Sequence, residues 1–383
     1  MAELGAAIRG EWTLDRDWLT VNHGSYGAAP KAVLAAQQDW RSQMEAGPTR
    51  FFSRVYPAAV RAAAGTLARF VGANSEDIAF VTNATEGCNA VLRSLALRPG
   101  DEVLVLTHGY GAVRNTVRYV TERAGARMQQ AALPFPDPDD ARVLAALEAR
   151  LTPRTRLAVL DHITSASALV LPIAAMTALC RDAGVPVLVD GAHAPGQVTL
   201  DLAALGADWY AGNCHKWLCA PKGSGFLWAA PDRQADLHPV SLSHGLGGGF
   251  LAEFDWTGTR DPSAWLAVSA AIGFHERLGG ADLRARNAAL AAEATALLAR
   301  RLKTGVGASG AFAAAMGVVR LPVSGPATTE RAHAIRERLL DARTDAPVQA
   351  LDGALWLRLS AAAYNERADY ERLADIVATA LHD

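Results

Sequence analysis

A mostly parallel β-sheet held between helices, followed by a smaller α/β unit, is the fold class that this sequence predicts. Three observations carry it. Between about residues 76 and 230, short apolar runs alternate with helix-length amphipathic segments, the pattern of strands joined by crossover helices. After about residue 280 that alternation gives way to a long Ala/Arg/Leu segment, a few isolated apolar runs and a closing helical stretch. The 383 residues, half of them hydrophobic and a fifth charged, are enough for two cores of ordinary size.

In chain order, the first seventy residues read as irregular, with "VNHGSYGAAP" (21–30) as a turn-rich opening and helical pieces behind it. The runs "DIAFVT", "DEVLVLTH", "RLAVLDHI", "VPVLVDGAH" and "GFLWAA" read as buried strands. Between them, "EGCNAVLRSLAL" and "PIAAMTALCRDAG" space their apolar residues by three and four, as helices packed on a sheet do. "SHGLGGGF" (243–250) reads as a flexible loop. The C-terminal third predicts a long helix, a strand at "MGVVRLP", another helix, an antiparallel pair from "APVQAL" and "ALWLRLS", and a last helix from about Arg367. The resulting division is an N-terminal segment over 1–20, a large unit over 21–275 and a small one over 276–383, with the N-terminal residues able to pack on the small unit.

Composition narrows the function classes. A net charge of −2 argues against nucleic acid or an anionic membrane as the main partner. The opening "MAELGAAIRGEW" lacks the apolar core of a signal peptide, no run is long and apolar enough to span a bilayer, and a cytoplasmic protein is expected. The four cysteines, Cys88, Cys180, Cys214 and Cys219, are too few and scattered for a disulfide framework. Cys214, His215 and Cys219 do not have the spacing of a common zinc knuckle, and no second ligand pair follows, so no metal site is expected.

Lysine is scarce: Lys31, Lys216, Lys222 and Lys303 are the four among 37 basic residues. Two of them lie in "GNCHKWLCAPKGSG" (212–225). Arginine stays charged at any working pH, whereas a desolvated lysine can shed its proton and attack a carbonyl. In a parallel sheet the ligand lies at the carboxyl ends of the strands, so residues just after each apolar run are the candidates. Asp190 ends "VPVLVD" and can either hold a protonated ring nitrogen or cap a turn. Thr85 can either cap a helix or, with the amides of Ala84, Thr85 and Glu86, cradle a phosphate at the helix N-terminus. Tyr110 follows "DEVLVLTH" and is either core or a plate on which a ring stacks.

Taken together, "TNATEG", "VDGAH" and "CHKW" resemble the class V aminotransferase group of fold type I pyridoxal phosphate enzymes, and "VNHGSYGAAP" with "WTGTRDPSAWLAV" is most similar to its isopenicillin N epimerase-like branch. The likeness runs from about Val21 to the C-terminus, with the motifs in family order. It implies a large domain built on a seven-stranded, mostly parallel sheet, and pyridoxal 5′-phosphate as the cofactor. Lys216 would carry the cofactor as a Schiff base and Asp190 would hold the pyridinium nitrogen. His193 falls where related desulfurases have a glutamine touching the ring hydroxyl, and Tyr110 where they have a stacking histidine. Asn213 and His215 match the segment beside the phosphate. Thr259 matches a residue that reaches the phosphate of the neighbouring subunit, which implies a homodimer with shared sites. Arg358 matches the arginine that receives the substrate α-carboxylate, a task suited to a planar bidentate donor. The segment "RFFSRVYP", with Arg54, either borders the substrate or forms a helix face at a dimer contact. Lys222 has only a structural reading, a turn after the active-site loop, and Cys214 and Cys219 are expected to pack beside that loop.

The resemblance implies removal of an α-proton from an amino-acid substrate by the released Lys216, after which neighbouring groups choose the outcome. Epimerisation or racemisation needs a second acid opposite Lys216, for which Tyr110, His108 and His23 are candidates. A carbon–sulfur β-lyase or desulfhydrase needs none and is the alternative; transamination and an inactive binding subunit are further ones. Persulfide relay is not expected, because it needs a cysteine in the C-terminal region and none follows Cys219.

Overall fold

The computed structural model describes residues 3–382. Its strands in chain order are β1 (Leu19–Thr20), β2 (Ile78–Val81), β3 (Glu102–Leu106), β4 (Arg127–Ala131), β5 (Thr155–Asp161), β6 (Val187–Gly191), β7 (Trp209–Asn213), β8 (Gly225–Ala229), β9 (Met316–Arg320), β10 (Thr344–Asp345), β11 (Val348–Leu351) and β12 (Ala354–Ser360). The central sheet has seven strands in the order β2-β8-β7-β6-β5-β3-β4, and β8 alone runs against its neighbours. This is the fold type I architecture that the sequence implies. Strands β2, β3, β6, β7 and β8 are buried along their whole length, because helices cover both faces.

Two of the seven strands are absent from the apolar runs named above. β4, "RMQQA", lies at the sheet edge and buries only Ala131 fully, so it carries no apolar run. β7, "WYAGN", is fully buried, but its Ala-Gly pair breaks the run, and the helix before it is a single turn, Leu202–Leu205. The first seventy residues are also more regular than expected, with helices at Lys31–Glu45 and Tyr56–Val71 packed against the large core.

Strand alignment builds the site. Asp161 at the end of β5 faces Asp190 on β6, and Asp190 and Gly191 face Ala211 and Gly212 on β7. The helix Ala84–Ser94 starts beside them: Asn83 caps it by accepting from the Glu86 amide, and Glu86 returns a carboxylate oxygen to the Thr82 amide.

The antiparallel sheet β11-β12-β9 and the helices Ala281–Leu302, Thr329–Asp341 and Arg367–His382 form a second core. Leu19 and Val21 belong to it: β1 pairs with β10, and the Ser360 amide donates to the Val21 carbonyl. Val21 therefore packs with the small unit rather than opening the large one. Among the described residues no helix is long and apolar enough to cross a membrane.

Candidate active site

A cavity of about 260 Å³ opens over the ends of β5, β6 and β7 and is walled by Lys216, Asp190, Asp161, His193, Thr85, Asn213, His215 and Tyr110. Lys216 lies just after β7 in a loop closed on itself by backbone bonds from Cys214 to Ser224 and from Ala220 to Cys214. A mere 9% of the residue is exposed. Burial, with the charge of Arg358 added, lowers its amine to about 8, against the opposing pull of Asp190. Its Nζ lies 3.1 Å from His193 Nε2.

Gly27 presses on this loop from the N-terminal segment. A Cβ there would lie 2.0 Å from the His215 carbonyl oxygen and 2.9 Å from Lys216 Cα, so only glycine lets the two backbones meet. Lys222 Nζ donates to the Gly27 carbonyl at 2.8 Å, which makes Lys222 a clip on this contact. Gly196, at φ +89°, allows the turn after β6 to seat against Trp217 in the same way.

Asp190 accepts from the Ala192 amide at 3.0 Å, while Asp161 accepts from the Tyr110 amide at 3.3 Å. Burial raises both carboxyls above their usual range; the charge of Asp190 adds to the rise at Asp161. Two carboxyls in this position suit a cationic ring nitrogen, which would supply the missing counter-charge. Tyr110 is 44% exposed at the cavity mouth, so it is not core.

The start of the helix Ala84–Ser94 leaves fewer free donors than the expected cradle of three amides. The Ala84 amide donates to Asn213 Oδ1 at 2.8 Å and the Glu86 amide to Asn83 Oδ1 at 2.9 Å. Glu86 itself serves as the capping partner of Thr82. What remains at the helix start is the Thr85 amide and hydroxyl, joined in the cavity wall by Asn213 and His215. His215 Nδ1 donates to the Ser224 carbonyl at 3.0 Å, and burial keeps the ring neutral by lowering it to about 4.

Arg358, on β12, is buried, with one guanidinium arm on Ser165 and the other on Asn22 Oδ1 at 3.0 Å and Ser25 Oγ at 2.8 Å. Its Nε is buried without a partner. Ser25 and Ser165 in turn wall the cavity, so Arg358 stands directly behind that part of the wall.

Other expected residues lie elsewhere. His23 is fully enclosed behind the lysine loop, its Nδ1 on Tyr364 Oη and its Nε2 on the Lys216 carbonyl. His108 is held between Ser167 and Asp352. Neither borders the cavity, which removes both as acids facing the substrate; "LTH" and "VNH" place a histidine near a strand end without fixing where its ring turns. Arg54 and Thr259 are exposed and outside the cavity wall of this chain. Cys214 is buried and Cys219 half-buried beside the loop, where burial raises Cys219 to about 12 and leaves it an inert thiol. Residues not foreseen are Asp161, Ser165, Ser25 and Tyr26. Asp161 ends an apolar run just as Asp190 does, so the rule that found one serves equally for the other.

A family model described as aminotransferase class V matches residues 27–373. Isopenicillin N epimerase of Streptomyces clavuligerus is 35% identical, over 96% of this chain and 96% of that protein. A probable chloroplastic L-cysteine desulfhydrase of Arabidopsis thaliana is 33% identical, over 95% of this chain and 83% of that protein. Among solved structures, the cystine C–S lyase C-DES in complex with its reaction product cysteine persulfide has a TM-score of 0.82 at 24% identity, covering 95% of this chain and 98% of that one. A mutant of C-DES with glycine covalently linked to its PLP cofactor gives the same TM-score and identity. At that identity the likeness is one of fold.

Proposed function

Because the chain belongs to the class V aminotransferase family, we propose that it is an epimerase or racemase acting at the α-carbon of an amino acid or amino-acid-derived small molecule. It is an enzyme, and its cofactor is pyridoxal 5′-phosphate. The carrying observation is the convergence of a desolvated amine and two buried carboxyls on one cavity, with a buried guanidinium bonded to Ser25 and Ser165 in its wall.

When bound, the cofactor supplies an aldehyde for the amine and an electron sink for the α-carbanion. Lys216, held near neutrality, takes the α-proton. Asp190 would hold the ring nitrogen in its protonated form, with Asp161 alongside. Thr85 and Asn213 would hold the phosphate; His215 lies beside them with its one proton on the Ser224 carbonyl, so it would have to gain a second proton to join them. Arg358, Ser25 and Ser165 fix the α-carboxylate and so decide which substrate bond points at Lys216. Tyr110 and Tyr26 also wall the cavity, and to these two the epimerase reading assigns the return of a proton.

A carbon–sulfur β-lyase is the second reading. It is favoured by the desulfhydrase relatives and by the fact that it needs no acid opposite Lys216. Incubation with L- and D-amino acids and cysteine conjugates in heavy water separates the two: inversion with α-deuterium incorporation marks the epimerase, pyruvate and ammonia the lyase. Neither product from any substrate would overturn both readings.

The same reading includes a homodimer in which Thr259 reaches the partner's phosphate, supported by its exposure away from the cavity of its own chain. A Lys216→Ala chain mixed with a Thr259→Ala chain should then regain part of the activity; no recovery despite proven subunit exchange would refute it. The free thiols fit a reducing, cytoplasmic setting.

A further inference from the structure

The indole N–H of Trp217 and the amine of Lys216 contact the two nitrogens of one buried imidazole. Trp217 Nε1 lies 3.5 Å from His193 Nδ1, and Lys216 Nζ lies 3.1 Å from His193 Nε2. From this arrangement we propose that Trp217 is a positioning residue that favours the free-amine form of Lys216 by fixing the tautomer of His193. The proposal rests on Lys216 being the catalytic amine, as argued above.

An indole N–H can only donate, so His193 Nδ1 must offer its lone pair. A neutral imidazole has one proton, which is thereby sent to Nε2. Nε2–H then points at Lys216 Nζ, and an ammonium there would set donor against donor. A free amine has a lone pair to receive that hydrogen bond. Deprotonated lysine is thus the form that satisfies all three groups.

The alternative of a charged imidazole is closed off by its surroundings. His193 is 2% exposed, and the charged and titratable groups facing the His193–Lys216 pair are Asp190, Arg358 and His215. Burial above all, with the charge of Arg358 added, pushes the imidazole well below its ordinary range. The ring is also anchored: Gln197 Nε2 donates to the His193 carbonyl at 2.7 Å, and Gly196 lets this turn lie against the Trp217 backbone. In a family built on an amine that must alternate between carrying and losing a proton, such a tautomer lock saves waiting for bulk pH to do the deprotonation.

The test measures the amine itself, in the cofactor-free full-length chain, so it stands whether or not the proposed reaction is correct. The rate of Lys216 modification by an arylating reagent is followed against pH by peptide mass spectrometry, with exposed Lys31 of the same chain as internal reference. Trp217→Phe should move the midpoint for Lys216 upward by about 0.5–1 unit, the equivalent of one ordinary hydrogen bond, and leave Lys31 unchanged. Substitution of Trp217 by benzothienylalanine, which keeps the ring shape and removes only the N–H, should do the same and decides the matter if Trp217→Phe fails to fold. In a His193→Gln background, where the side-chain amide can both give and accept, neither change should shift the midpoint further. An unmoved midpoint on loss of the N–H, or an equal shift in the His193→Gln background, would overturn the proposal while leaving the role of Lys216 intact.

Discussion

A single methyl group at Gly27 should be felt at the amine of Lys216. The residue sits at φ +69°, ψ 171°, a region that costs a residue with a side chain about 1–3 kcal/mol. The added Cβ would meet the His215 carbonyl oxygen at 2.0 Å, where ordinary contact begins near 3.4 Å, so one backbone must retreat by more than an ångström. Retreat strains the Lys222–Gly27 bond and the His23–Lys216 bond, each worth about 1 kcal/mol net. Gly27→Ala should therefore lose about 3–5 kcal/mol of stability. An amine displaced by about 1 Å should cost roughly 10²-fold in turnover. Gly100→Ala is the matched control: its φ of +87° carries the same kind of backbone cost, but its Cβ would meet nothing within 4 Å. Urea unfolding of both cofactor-free variants, followed by turnover of the loaded forms, separates strain from collision. A Gly27→Ala protein as stable as Gly100→Ala, with wild-type turnover, would refute the reasoning.

Lys216→Ala should abolish turnover and covalent retention of the cofactor through borohydride reduction and denaturation, whereas Lys222→Ala should keep the retention; both are read by intact mass. Asp190→Asn should leave the cofactor bound but slow α-hydrogen exchange in heavy water by orders of magnitude, because a neutral amide cannot keep the ring nitrogen protonated. Asp161→Asn should slow it less, because it leaves Asp190 in place. Lys216 has its amine lowered to about 8, below the ~10.4 of an unfolded chain, so between these values the unfolded state binds the extra proton. Stability of the cofactor-free protein should hence rise with pH over that window, on the order of 2–3 kcal/mol. Lys216→Met should flatten the rise and be the more stable protein at pH 7, as denaturant titrations at several pH values would reveal.

What could be read from the sequence was whatever rests on local pattern. Buried parallel strands announce themselves as apolar runs, and the rule that ligands gather at strand ends led to Asp190, Thr85 and Tyr110, while the scarcity of lysine led to Lys216; all four wall one cavity. Where side-chain direction decides, the pattern is silent. His23 and His108 occupy the expected neighbourhood but turn their rings to Tyr364 and Ser167. The Ala84 and Glu86 amides lie at a helix N-terminus, yet two asparagines consume them, one of them 129 positions away. An edge strand such as β4 needs little apolar surface and leaves no run to find. Arg358 could be placed by family likeness, but its grip on Asn22 and Ser25 depends on tertiary structure.

That last contact bears on how the protein is made. Asn22 and Arg358 are 336 positions apart, and Leu19 waits for Thr344 before β1 can pair. At about 5–20 residues per second, the N-terminal segment leaves the ribosome roughly 15–70 s before its partner strand is synthesised. The central sheet, complete by Ala229, can form meanwhile and present Lys216 on its loop. His23, Ser25 and Gly27, which brace that loop and the carboxylate site, can settle finally only when the last strands arrive. A chain stalled before β12 would thus hold Lys216 on its loop without the arginine proposed to receive the substrate, so the arrival of β12, rather than sheet formation, would complete the proposed carboxylate site.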